Sequence, residues 1–162
     1  MNHIRLFLIL LTISGCSIFS PEDNDISEAD QALADELWAE MTSYSEWSQH
    51  ENWQGINPSI DGTHGSHVQI WLNDSAFTAI QSLKTVMSEN SILVKEGYSN
   101  AAGSSLTGIT AMKKIAGYNP DHGDWFWAKY KSTGSVENAG KPSGCINCHT
   151  VGDDYLRFID LQ

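Results

Sequence analysis

The sequence predicts an α+β fold: an antiparallel β-sheet with an N-terminal helix, further short helices and a C-terminal Cys-x-x-Cys-His stretch. Three observations predict it. Apolar residues recur at helical spacing near the start of the chain, at Ile26, Leu33, Leu37, Met41 and Tyr44. Several later segments alternate with the two-residue rhythm of strands, and turn-rich stretches of Gly, Asn, Pro and Asp separate them. The 162 residues hold one hydrophobic core comfortably and two poorly, so these elements read as one domain.

The first fifteen residues, MNHIRLFLILLTISG, place Arg5 ahead of the apolar run Leu6–Leu11 and small residues ahead of Cys16, the layout of a secretory signal. The run is too short to span a membrane. Ile13-Ser14-Gly15-Cys16 resembles the bacterial lipobox, whose cysteine receives a diacylglycerol and becomes the new N-terminus after cleavage. Ser17, not Asp, follows it, which by the same resemblance favours the outer membrane. The expectation is a periplasmic protein held to the membrane only by a lipid on Cys16, with residues 16–25 as tether and 26–162 as the folded domain.

Losing residues 1–15 removes Arg5 and no acid, so eight bases face twenty acids and the net charge moves from −11 to −12. That excludes nucleic acid and anionic headgroups as natural partners and leaves a basic redox partner open. With Cys16 taken by lipid, Cys145 and Cys148 remain, so no disulfide framework staples the fold.

Along the chain, Ser27 with Asp30 three residues on supplies an N-cap, and a helix is expected over roughly 27–44. Residues 45–65 are rich in turn formers and read as an irregular connection. Val68, Ile70 and Leu72 alternate with Gln69 and Trp71 as a strand, and Asn73-Asp74 caps a short helix through Phe77, Ile80 and Leu83. The stretch 91–98 is a strand with Ile92 and Val94 on one face and Leu93 and Lys95 on the other. Residues 105–116 lean towards β, 119–124 turn, and 124–131 alternate again, which reads as a hairpin. Residues 132–144 read as a polar flexible loop delivering the cysteines to a helical turn at 145–150.

Cys145, Cys148 and His149 fit C-x-x-C-H, the c-type haem attachment pattern. Thiols at i and i+3 on one helical turn can each form a thioether with a haem vinyl group, while the imidazole at i+4 reaches the iron. Three other readings compete. A redox dithiol belongs before a helix in a βαβ context rather than after a long loop near the C-terminus. A structural zinc needs a distant fourth ligand. A disulfide across two residues is strained. Export favours haem, because bacteria attach c-type haem outside the cytoplasm. Candidates for the opposite face of the iron are Met41, Met87, Met112, His50, His64, His67 and His122, and spacing singles out none of them.

Several stretches taken together resemble the cytochrome P-460 family, which also contains the cytochromes c′-beta. They are His64-Gly65 followed by VQIWLND at 68–74, ILVKEGY at 92–98, AMKKIAGYNPDHGDWFWAKY at 111–130, and CINCH at 145–149 followed by Asp154-Tyr155. The resemblance implies covalently attached haem c, His149 as proximal ligand and an open distal iron site that binds or oxidises small nitrogen species, hydroxylamine or nitric oxide. It implies either an oxidoreductase acting on hydroxylamine or a non-catalytic nitric oxide binding protein, and often a homodimer. It also puts Lys95 where some members carry a lysine joined to the haem ring. An ammonium facing an apolar pocket there is costly to keep charged, and the neutral amine is the nucleophilic form. Val68 stands near the place of a basic distal residue in hydroxylamine-oxidising members, and Leu93, Phe77 and Trp71 are candidate apolar linings. A six-coordinate electron-transfer cytochrome is the remaining reading.

Overall fold

Helix α1 (Glu28–Glu40) starts at Ser27, whose hydroxyl accepts from the Asp30 amide at 3.1 Å, as the sequence indicated. The computed structural model describes residues 25–82 and 84–158; the signal segment, Cys16, most of the tether and Leu83 lie outside the described residues. The helix ends at Glu40, short of the expected 44. Tyr44 leaves the helical path to donate its hydroxyl to the Glu96 carboxylate at 2.7 Å.

Six strands follow: β1 (Asn57–Pro58), β2 (His67–Leu72), β3 (Ile92–Tyr98), β4 (Leu106–Lys114), β5 (Trp125–Tyr130) and β6 (Val136–Gly140). Each pairs antiparallel with its neighbour in sequence, so the sheet is a single meander in the order 1 to 6. Helix α2 (Asp74–Gln81) sits between β2 and β3, capped by Asn73, whose side-chain oxygen also accepts from the Ile92 amide. Helix α3 (Ser143–His149) closes the domain. The α+β class and antiparallel sheet agree with the expectation.

Alternation along the strands builds two cores. On one face Ile92, Val94, Ile109, Ala111, Phe126, Ala128 and Tyr130 pack under α1 through Ala34, Leu37 and Met41. On the other, Ile70, Leu72, Leu93, Met112, Trp125 and Trp127 meet α2 and Ile146 of α3.

Two expectations are corrected here. Residues 132–144 are not a flexible loop: a turn at 131–134 leads into β6, which pairs with β5 and lies against α1. Trp71 faces away from the second core, packing on the α1 side and donating its indole N–H to Glu96 at 3.3 Å.

Candidate functional site

Between α3 and the second face of the sheet lies a cavity of about 330 Å³, within the size range of cofactor and small-molecule sites. Cys145, Cys148 and His149 line it from α3, Leu93 and Lys95 from β3, and Met112 from β4. One helical turn thus presents both thiols and the imidazole to the same space.

The imidazole of His149 is nearly buried, 7% exposed, and packs edge-on against the Trp127 ring at 4.8 Å. Its Nδ1 stands 2.7 Å from the Tyr155 carbonyl oxygen. A carbonyl can only accept, so Nδ1 carries the proton and Nε2 keeps its lone pair for a metal. Burial pushes the pKa down to about 4, and the Tyr155 hydrogen bond opposes that only in part. At neutral pH the ring is therefore an uncharged donor with its tautomer fixed.

The chain supplies that carbonyl by doubling back after α3. Asp154 and Tyr155 both take left-handed backbone angles, φ 44° and 67°, each costing on the order of 1 kcal/mol for a residue with a side chain. The surroundings hold them there. The Asp154 carboxylate accepts from Lys114 Nζ at 2.6 and 2.7 Å and from the Met87 amide at 2.7 Å, while its carbonyl accepts from Trp125 Nε1 at 2.9 Å. Lys114 and Asp154 form an ion pair almost wholly out of water. Asp154-Tyr155 stands out in the sequence, but nothing there couples the pair to Lys114 on β4.

Lys95 reaches the cavity from the face it shares with Leu93, as expected from alternation. Desolvation first, then the Arg157 guanidinium, pushes its pKa down to about 8, so the neutral amine becomes accessible at a much lower pH than for an ordinary lysine. Arg157, not anticipated from the sequence, borders the cavity: its Nη1 lies 2.6 Å from the Asp61 carboxylate and 2.9 Å from Cys148 Sγ. Thr63 amide and Arg157 together hold Asp61 well below the usual carboxylate range.

The candidates for the other axial position separate cleanly. Met41 belongs to the α1 core, on the opposite side of the sheet. Met87 is buried in the second core, and Met112 lines the cavity. His50 caps a short 3-10 turn, His67 sits beside Ser66, and His122 is not solvent-free in its turn but faces the Tyr155 hydroxyl at 3.1 Å. His64 lines the cavity. Val68 borders a small extension of it with Lys95 and His149, Leu93 lines it, and Phe77 packs in the core below without reaching it.

Several observations bear on what fits here. The Trp127 indole N–H is buried with no hydrogen-bond partner among the described residues, although the ring lines the cavity, so the site lacks an acceptor that an occupant would bring. Among the described residues no group of three or more His, Cys, Asp and Glu is placed to hold a metal ion, so nothing there adds to the zinc reading. Burial raises the Cys145 thiol pKa, opposite to the need of a redox dithiol, and both cysteines are free thiols. A haem, with its own four nitrogen ligands, asks of the protein only an axial imidazole and two thiols, and that is what the cavity offers.

The sequence profile of the cytochrome P-460 family matches residues 42–156. The chain belongs to the cytochrome P-460 family. It is accordingly a haem protein of the c type, and the matched span runs from just after α1 through the return of the chain to His149. No curated protein matches the chain. Membership agrees with the resemblance carried by His64-Gly65, the β3 stretch and the Cys-x-x-Cys-His motif.

Proposed function

We propose that this chain is an exported, lipid-anchored cytochrome in which Cys145 and Cys148 attach haem through thioethers, His149 ligates the iron, and the far side of the iron takes up hydroxylamine or nitric oxide. Each thioether forms by adding S–H across a vinyl C=C, a step that neither consumes nor releases electrons. The observation that carries the reading is the His149 imidazole, held neutral with Nδ1 on the Tyr155 carbonyl and Nε2 free, on the same turn as two cavity-lining thiols.

The haem supplies a redox-active Lewis acid for a small nitrogen donor. The chain's own residues do the rest: Leu93, Ile70 and Met112 keep the cavity wall apolar, which suits a small, weakly solvated ligand. Binding of nitric oxide needs no proton acceptor. Oxidation of hydroxylamine releases protons, and Lys95, with its pKa lowered to about 8, stands at the cavity to accept them in its neutral form. That group favours the oxidoreductase version as a second reading.

The test is the absorption spectrum of the matured, reduced protein with and without nitric oxide and hydroxylamine. Ligand-dependent shifts of the haem bands are expected; matured protein that is colourless and free of iron overturns the proposal. Lys95 has its own test. A bond from its nitrogen to a ring carbon replaces one N–H and one C–H and sends two electrons to an external oxidant such as a peroxide. Mass spectrometry of the Lys95 peptide then finds the haem mass less two hydrogens. A Lys95→Arg variant with an unchanged spectrum removes the lysine from the site. Lipidation at Cys16 is read from the mass of the mature N-terminal peptide.

A further inference from the structure

The charge of the cavity wall runs against the charge of the chain. Twenty acids face nine bases over the whole sequence. Three of those bases, Lys95, Lys129 and Arg157, nevertheless line the cavity, and among the described residues no aspartate or glutamate does. Asp61, in the small extension, is engaged by Arg157 at 2.6 Å. A wall of that sign in an acidic chain fits an occupant that brings negative charge.

The strand register shows where along the wall that charge belongs. Facing the cavity, Leu93, Met112 and Trp127 stand side by side on β3, β4 and β5, each 8% exposed or less. Two residues along the strands, the next row is Lys95, Thr110, Lys129 and Asn138 on β3 to β6, and beyond it Gly97 pairs with Gly108. The wall thus turns from apolar to polar within about 7 Å. Haem has the same polarity, an apolar ring with both carboxylates on one edge.

The three bases are not equivalent. Arg157 meets its counter-charge in Asp61. Lys95 is pushed by burial, then by Arg157, to a pKa of about 8, so its charge is costly where it stands. Lys129 is the remaining cation. Its side chain is 52% exposed and lies over Gly108, with Cε 3.9 Å from where a Cβ would stand there. Its Nζ meets Glu137 at 3.1 Å, a half-exposed pair of the kind that is held weakly. Beside it in register, Asn138 makes no side-chain hydrogen bond among the described residues.

We infer that Lys129 and Asn138 receive a carboxylate of the haem at the solvent-exposed end of the cavity, and so fix which edge of the ring lies at the polar end of the sheet. This rests on the haem attachment proposed above. An ammonium and an amide N–H there keep the carboxylate ionised and hydrogen-bonded. The positive charge beside the ring disfavours the ferric state and raises the midpoint potential.

The test uses the matured, haem-loaded chain, produced with aminolevulinate that carries heavy carbon at the position that becomes the haem carboxylates. Their infrared bands are then distinguished from those of Asp and Glu. In redox difference spectra the labelled bands are expected to move in Lys129→Met and in Asn138→Leu, and to stay close to wild type in Lys129→Arg. The midpoint potential is expected to fall in Lys129→Met and to recover in Lys129→Arg. Lys131→Met removes the same charge from an exposed residue that does not line the cavity, and is expected to leave the labelled bands in place. Labelled bands that coincide in wild type and Lys129→Met, or that move equally in Lys129→Met and Lys131→Met, overturn the inference while leaving haem attachment intact. Matured protein free of iron overturns both. If Lys129→Met fails to load haem, Glu137→Gln decides: releasing the ammonium from its acidic neighbour is expected to move the labelled bands, and bands left in place overturn the inference.

Discussion

At the scale of single residues, the chemistry of the site depends on a carbonyl that the motif does not contain. His149 is legible from C-x-x-C-H, but its tautomer is fixed by Tyr155, and Tyr155 is fixed by the Lys114–Asp154 pair beneath it. Spacing shows neither link, because Lys114 and Asp154 are forty positions apart and meet only once β4 and the C-terminal return are folded. Asp154→Asn keeps an acceptor for the Met87 amide and removes the charge that balances a buried ammonium. Such an uncompensated charge costs about 3–5 kcal/mol. Denaturant unfolding is expected to register that loss, and adding Lys114→Met to the same chain is expected to recover most of it, since the buried cation is then gone. A double variant no more stable than Asp154→Asn alone would show that the pair does not set the cost.

At the scale of elements, strands that face a core on both sides announced themselves and the edge did not. In β3, Ile92 and Val94 against Leu93 and Lys95 could be assigned to opposite faces, and the structure keeps that assignment. The sequence of β6, VENAG, buries only Ala139 and Gly140, so its alternation carries almost no apolar signal; it is a strand because β5 and α1 give it partners. The early end of α1 was equally invisible, since it depends on Tyr44 reaching Glu96 across fifty-two positions. Gly97 shows the same limit in a functional place: within KEGY it reads as a weak point in a strand, yet it makes room for the His64 loop. Gly97→Ala is expected to destabilise the fold by about 1–3 kcal/mol through that overlap. It is also expected to change the haem spectrum, because the loop carrying His64 must move.

At the scale of the whole molecule, the sheet divides its labour between faces. The α1 face is filled by aliphatic and aromatic side chains and contributes stability; the other face gives up part of its core to a cavity and therefore has less packing with which to hold a site rigid. Haem in that cavity would restore the missing apolar contacts, so the two faces should respond differently to equivalent damage. Leu37 on α1 is 1% exposed and packs far from the cavity, so Leu37→Ala leaves a void costing about 2–5 kcal/mol. The expected result is a lower melting temperature with haem bands, spin state and ligand shifts as in wild type. Met112 borders the cavity itself, and Met112→Ala enlarges a space that already exists rather than opening a new one in a filled core. There the expected result reverses: a smaller stability loss in the haem-loaded protein, with displaced haem bands. The comparison works because both substitutions remove a long apolar side chain that is nearly buried, 1% and 8% exposed, leaving its position relative to the sheet as the main difference. Equal spectral change in both variants would mean that the sheet transmits strain from one face to the other and that the division does not hold.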